Sequence, residues 1–157
     1  MRTQVLPATL RELIGEWAGT NRLWLSPKEP ARHSDTTASV AVAAQSRFAT
    51  IKYTWADGDQ PQDGLLILGA DPERKTLEAV WVDSWHMADK FMLCKGTTDG
   101  NGVISVQGSY PAPPGPDWGW RMVINPCIAD RLELRMYNIS PGGEQALAVE
   151  VSYSRRS

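Results

Sequence analysis

Apolar and polar side chains alternate with a period of two through most of the chain, which is typical of half-buried β-strands. Trp17, Leu23 and Leu25 share one face of the first such segment. Turn-forming residues separate the segments predicted as strands, which are 17–25, 36–45, 47–55, 64–69, 76–84, 90–96, 103–110, 118–125, 131–138 and 144–154. About ten strands at roughly 8–12-residue spacing predict an all-β barrel or sandwich.

The connections favour the barrel over the sandwich. Most are of hairpin length, with turn signals at 57–58, 99–102 and 141–143, so sequential strands should pair as antiparallel neighbours. We therefore expect an up-and-down antiparallel β-barrel, closed or nearly closed. Barrel diameter grows with strand number, so ten strands enclose a cavity unless large side chains fill it.

One short helix is predicted before the first strand. Thr9 and Glu12 have the spacing of a capping box. Leu10, Leu13 and Ile14 form one apolar stripe, and a glycine follows, as is common at helix ends.

Composition narrows the setting of the fold. A length of 157 residues fits a single domain, 1–157. The formal net charge of −2 argues against nucleic-acid binding, which uses clustered Lys and Arg. The N-terminus lacks the apolar run of a secretion signal, and no stretch approaches the roughly 20 apolar residues of a membrane span. With only Cys94 and Cys127, we expect a cytoplasmic protein with reduced thiols.

Motifs for catalysis or metal binding are missing from the sequence. Two His and two Cys are scattered, without the spacings of zinc or nucleophile motifs. Asp83 and Ser84 should point to opposite faces of a strand, so they cannot form a triad with His86. Cys94 is expected to be buried and inert. No metal, cofactor or catalytic residue is predicted.

Seven tryptophans must either fill the core or line a cavity. If Trp17 faces inward, alternation gives a lumen rich in aromatic side chains and Met, with sparse polar groups, which is the usual composition of a small-molecule site. The candidate ligand-binding residues are Asn21, Tyr53, Trp55, Trp81, Asp83, Trp85, His86, Trp120 and Asn138. We expect an apolar or aromatic ligand, oriented by Asp83 and His86.

Two other functions remain open. One is a small isomerase-type enzyme with His86 or Asp83 as the base. The other is a structural or interaction protein whose barrel is filled by side chains. The pairs Arg22–Trp24 and Arg135–Tyr137 should lie on the outer face, as cation–π contacts or as part of a homodimer surface.

The segment from Leu10 to Gly19 has the pattern L-x-x-L-x-G-x-W-x-G and resembles a bacterial domain family of unknown function. It is also similar to the start of calycin barrels such as lipocalins. Nitrobindin-like haem barrels open similarly, but have a further Gly where Asn21 stands and a haem-ligating His in a late strand, whereas His33 and His86 lie earlier. The resemblance implies a barrel for a small apolar ligand and carries over no catalytic residue.

Overall fold

The computed structural model describes residues 6–128 and 130–157. Ten antiparallel strands form a closed barrel, in which each strand pairs with its sequence neighbours and β1 pairs with β10. The elements are α1 (Ala8–Glu12), β1 (Gly15–Leu23), β2 (Arg32–Ala43), β3 (Phe48–Asp57), β4 (Gln60–Asp71), β5 (Thr76–Asp83), β6 (Met92–Thr98), β7 (Ile104–Tyr110), β8 (Trp118–Pro126), β9 (Arg131–Ile139) and β10 (Gln145–Arg155). The predicted fold class is confirmed.

Alternation along each strand builds the core, because every second side chain points into the barrel. In β5, for example, Leu77, Ala79, Trp81 and Asp83 are buried while the residues between them are not. Both Trp17 and Trp81 are almost completely buried. The apolar periodicity of the sequence therefore corresponds directly to the inward face.

Helix α1 lies at one end of the barrel. Leu10 and Leu13 are buried, and the Trp17 indole Nε1 donates to the Leu13 carbonyl at 2.9 Å. The Arg155 guanidinium donates to backbone carbonyls beside the helix and lies 4.4 Å from the Trp17 ring centroid. These contacts join the end of β10 to α1 and to the start of β1.

The predicted capping box is wrong. Pro7 occupies the N-cap position without a side-chain cap, and Thr9 lies inside α1. Proline has no N–H and a fixed φ compatible with a helix start, so the chain begins the helix without a hydroxyl cap.

Strand boundaries differ most at β2, which begins at Arg32 rather than residue 36, and at β4. The fourth strand is longer than the predicted 64–69, because its polar ends also pair with β3 and β5. The sixth begins at Met92 rather than residue 90. Phe91 precedes it and is 73% exposed. The segment 84–91 is thereby left as the connection between β5 and β6.

Candidate functional site

A cavity of about 230 Å³ lies at the barrel end opposite α1. It is formed where β1, β7 and β9 end, together with the β5–β6 connection and the start of β10. Its lining residues are Leu23, Trp24, Leu25, Trp81, Trp85, His86, Met87, Met92, Tyr110, Trp120, Asn138 and Ala148. No Asp, Glu, Lys or Arg is among these lining residues, and His86 is the one that can become positively charged. We refer to this space as the mouth cavity.

His86 lies within a cluster of four tryptophans. Its ring centroid is 4.7 Å from that of Trp85, 5.3 Å from Trp120, and 5.6 Å from both Trp55 and Trp81. The Trp55 ring stacks on it with an interplanar angle of 29°. Aromatic contacts therefore fix the imidazole at the inner wall of the mouth cavity.

The position of His86 depends on Asp83, the last residue of β5. One carboxylate oxygen accepts from the backbone N–H groups of Trp85 and His86, both at 2.8 Å. The other accepts from the Tyr53 hydroxyl at 2.6 Å and from the Trp55 indole at 3.2 Å. Asp83 is 3% exposed, and these four donors satisfy its buried charge. The carboxylate thus holds the β5–β6 connection over the barrel end.

A glycine makes this arrangement possible. Gly64 lies between Tyr53 and Asp83 in the register of β3, β4 and β5. A Cβ atom at Gly64 would lie 2.2 Å from the Tyr53 hydroxyl oxygen. The missing side chain therefore gives the phenol the space it needs to reach the carboxylate. That hydroxyl also accepts from the Trp81 indole at 2.9 Å.

Burial shifts the pKa of two groups in the site. Removal of the imidazole from water lowers the pKa of His86, although the nearby Asp83 charge opposes this shift. The pKa of Tyr53 is raised well above its ordinary value, chiefly by burial and then by the Asp83 charge. At neutral pH the site therefore contains a neutral imidazole and a protonated phenol.

Below His86 the lumen is nearly filled. Two voids of about 10 Å³ each remain there, and both are lined in part by Tyr53 and Tyr153. Such a volume holds about one water molecule. Polar groups in this region pair with one another, as where Thr36 contacts the Tyr153 hydroxyl at 3.1 Å. The barrel is thus packed in its deep part and open at its mouth.

The structure separates the nine predicted site residues into two groups. Trp81, Trp85, His86, Trp120 and Asn138 line the mouth cavity. The remaining four, together with His86, surround one of the deep voids, and these are Asn21, Tyr53, Trp55 and Asp83. The engagement of Asp83 by four donors favours a structural role for its carboxylate over direct ligand orientation.

Several cavity residues were missed by the sequence patterns. Trp24 follows the end of β1 and lines the mouth cavity, whereas alternation placed it on the outer face. Tyr110 ends β7, and its hydroxyl donates to the Asn138 side-chain oxygen at 2.5 Å. Met87 lies in the β5–β6 connection. The sequence signal that could have found these cavity residues is the presence of aromatic or apolar side chains at strand ends, where alternation no longer indicates which way a side chain points.

The predicted outer-face contacts are correct only in part. The Arg22 guanidinium lies 5.4 Å from the Trp24 ring. Over Tyr137, however, it is Arg121 that stacks, at 4.6 Å, while Arg135 pairs with Glu150 at 3.0 Å. Arg121 lies directly opposite Tyr137 in the β8–β9 register, which explains the exchange. The homodimer surface stays a prediction.

The thiols and acidic groups give no sign of a metal centre in the part of the chain that is described. Cys94 and Cys127 are unpaired, and burial raises the pKa of Cys94 to about 11. Across residues 6–128 and 130–157, no cluster of three or more His, Cys, Asp or Glu has metal-binding geometry. In the same ranges no helix has the length and apolar character needed to cross a bilayer.

Comparison with known families identifies the family of the chain. A family model described as "Protein of unknown function (DUF1579)" matches residues 6–155. The chain belongs to this family. The match spans α1 and all ten strands of the DUF1579 barrel, so the cavity and the Asp83 network both lie inside the family domain. No curated protein sequence matches the chain significantly.

A solved structure shares the DUF1579 barrel's fold. The crystal structure of Rv2717c from M. tuberculosis aligns with a TM-score of 0.64 and 18% sequence identity, covering 97% of this chain and 99% of that one. The TM-score and the coverage show a common fold, and function has to be argued from the site itself.

Proposed function

We propose that this protein binds a small, uncharged aromatic molecule in the mouth cavity. The observation that carries the proposal is an open cavity of about 230 Å³ with a wall of aromatic and apolar side chains. An apolar cavity of roughly 150 Å³ is already enough for benzene. The mouth cavity therefore has space for a molecule of about two fused rings.

The chemistry of the wall supports an aromatic ligand. Trp81 and Trp120 stack on each other at 5.6 Å with an interplanar angle of 11°, and both residues line the cavity. Trp85 is 37% exposed and lies at the rim. Rigid indoles give a ligand a large contact area at a small entropic cost, and aromatic pairs add a preference for ring systems.

Naphthalene provides a direct test. Its binding to the purified protein is measured by ligand-observed NMR and by quenching of tryptophan fluorescence. We expect saturable binding that Trp85→Ala weakens by roughly fivefold, since one aromatic contact contributes about 1 kcal/mol.

A second variant fills the cavity instead of opening it. Ala148→Phe places a ring in the cavity wall and should abolish naphthalene binding. Ser152→Phe is the matched control, because Ser152 lies exposed on the same strand and outside the lining. Unchanged binding in Ala148→Phe, with the fold intact by circular dichroism, would refute the site.

Proton transfer is a second candidate function, and one observation favours it. His86 lines the mouth cavity, where its imidazole contacts four tryptophan rings. Because burial lowers the pKa of His86, the ring is available as a neutral base. Deuterium exchange at the α-carbon of 1-tetralone in D₂O tests this. The protein should accelerate the exchange, and His86→Gln should remove the acceleration.

A further inference from the structure

One buried indole in the mouth cavity has no hydrogen-bond acceptor. Trp120 is 6% exposed and lines the cavity, yet its Nε1 has no partner among residues 6–128 and 130–157. Leaving a buried donor unpaired costs free energy, so each such group in a native protein needs an explanation.

The other indoles near the core are paired. Their Nε1 atoms donate as follows: Trp17 to Leu13, Trp55 to Asp83, Trp81 to Tyr53, and Trp85 to Asp57. The fold thus supplies an acceptor to these four indoles, of which Trp81 and Trp85 also line the mouth cavity. Trp120 lines the same cavity, but its N–H is unpaired.

A second donor lies beside Trp120. Asn138 is directly opposite it in the β8–β9 register, and cross-strand neighbours have Cβ atoms roughly 4.5–5.5 Å apart. The Asn138 side-chain oxygen accepts from Tyr110 at 2.5 Å. This leaves the Asn138 amide N–H₂ as a donor on the cavity wall.

We propose that the ligand is a neutral aromatic carbonyl compound whose oxygen accepts from the Asn138 amide and, through a small displacement of the side chains that enclose it, from Trp120 Nε1. The inference rests on the proposed binding function and specifies its ligand class. A carboxylate would bring a charge into a cavity whose described lining has no Lys or Arg, and burial of an unpaired charge is costly. A ketone, lactone or quinone oxygen accepts the same hydrogen bonds without that cost.

The experiment compares two ligands of nearly the same shape, 1-tetralone and tetralin, which differ by one carbonyl oxygen. Both are titrated calorimetrically into the wild type and into Trp120→Phe, which keeps a ring but removes the N–H. We expect the affinity ratio of 1-tetralone to tetralin to fall about tenfold in the variant, the usual effect of one buried hydrogen bond. Trp118→Phe is the matched control, because it lies on the same strand outside the lining, and it should leave the ratio unchanged.

Each outcome separates the two proposals. If neither ligand binds the wild type, the binding function and the ligand class both fail. If both bind and Trp120→Phe leaves their ratio unchanged, the ligand class alone is overturned. Tighter binding of 1-naphthoate than of 1-tetralone would overturn the requirement for a neutral ligand.

A second measurement does not depend on the variant's folding. In the wild type, the Trp120 Nε1–H proton resonance should move downfield on saturation with 1-tetralone and shift less with tetralin. Equal shifts with the two ligands would contradict the hydrogen bond.

Discussion

Replacement of Asp83 by Asn tests whether one buried carboxylate holds the mouth of the barrel together. Asp83→Asn keeps the shape of the side chain but leaves one acceptor oxygen in place of two. In the folded protein that carboxylate accepts two backbone N–H groups and two side-chain donors. The amide N–H₂ must therefore face one of these two pairs.

The cost follows from which pair it faces. Backbone N–H groups cannot accept, so the new N–H₂ should turn toward Tyr53 and Trp55. The Tyr53 hydroxyl can rotate and accept, but its own O–H then loses the acceptor it had in Asp83. The Trp55 indole N–H loses its acceptor as well. Each buried orphan donor costs about 1–3 kcal/mol, and the bonds that remain lose the strengthening given by a charged acceptor. Relief from burying the charge offsets part of this loss. We expect destabilisation of about 2–4 kcal/mol.

Urea unfolding at pH 7, followed by circular dichroism, measures the free energy directly. Asp63→Asn is the matched control, because Asp63 lies on the neighbouring strand and is exposed; a change within about 0.5 kcal/mol is expected there. Hydrogen exchange should accelerate at the amides of Trp85 and His86, whose acceptor is weakened or lost. An Asp83→Asn protein as stable as the wild type, with unchanged exchange at these amides, would refute the structural role of Asp83.

Two further predictions concern neighbours of this network. Gly64→Ala should destabilise the protein by about 2–3 kcal/mol in urea unfolding, because the new methyl group would displace the Tyr53 phenol. Gly100→Ala is the control and should be close to neutral, since a Cβ atom there meets nothing within 4 Å. Equal effects of the two substitutions would contradict the steric reasoning. The pKa of His86 is lowered in the folded state. Below about pH 6.5 the unfolded chain therefore binds a proton at His86 more readily than the folded protein does. The free energy of unfolding should fall as the pH drops from 6.5 toward the folded-state pKa. His86→Gln should flatten the fall in unfolding free energy between pH 7 and 5, whereas exposed His33→Gln should not; parallel curves for the wild type and His86→Gln would refute the burial effect.

The barrel could be predicted from the sequence because alternation and short connections are local signals. Period-two patterning indicates which face of each strand is buried, and it correctly placed Tyr53, Trp81 and Trp120 inside. Hairpin-length connections then leave few ways to pair ten strands. Closure of β1 on β10 follows once every neighbouring pair is antiparallel and the sheet curls on itself.

The site was only half predictable because alternation ends where the strands end. Trp85 was assigned to the inward face of a strand, but β5 stops at Asp83. The direction of the Trp85 side chain is set by the turn that Asp83 holds. Asp83 is hydrogen-bonded to residues some thirty positions earlier, and local periodicity does not indicate contacts of that range. Trp24 was misplaced for the same reason, just beyond the end of β1.

The division of the barrel into a packed depth and an open mouth also limits what it can bind. His86, among its four tryptophans, forms the inner wall of the mouth cavity, and beneath it only water-sized voids remain. A ligand of the proposed kind would therefore sit above the imidazole, with one edge toward the Trp85 rim. Since Asp83 fixes both the depth of this wall and the connection that carries the rim, the Asp83 network sets the shape of the cavity without contributing a charge to its lining. An elongated ligand that requires a deep tunnel is incompatible with this arrangement, whereas a compact planar one fits it.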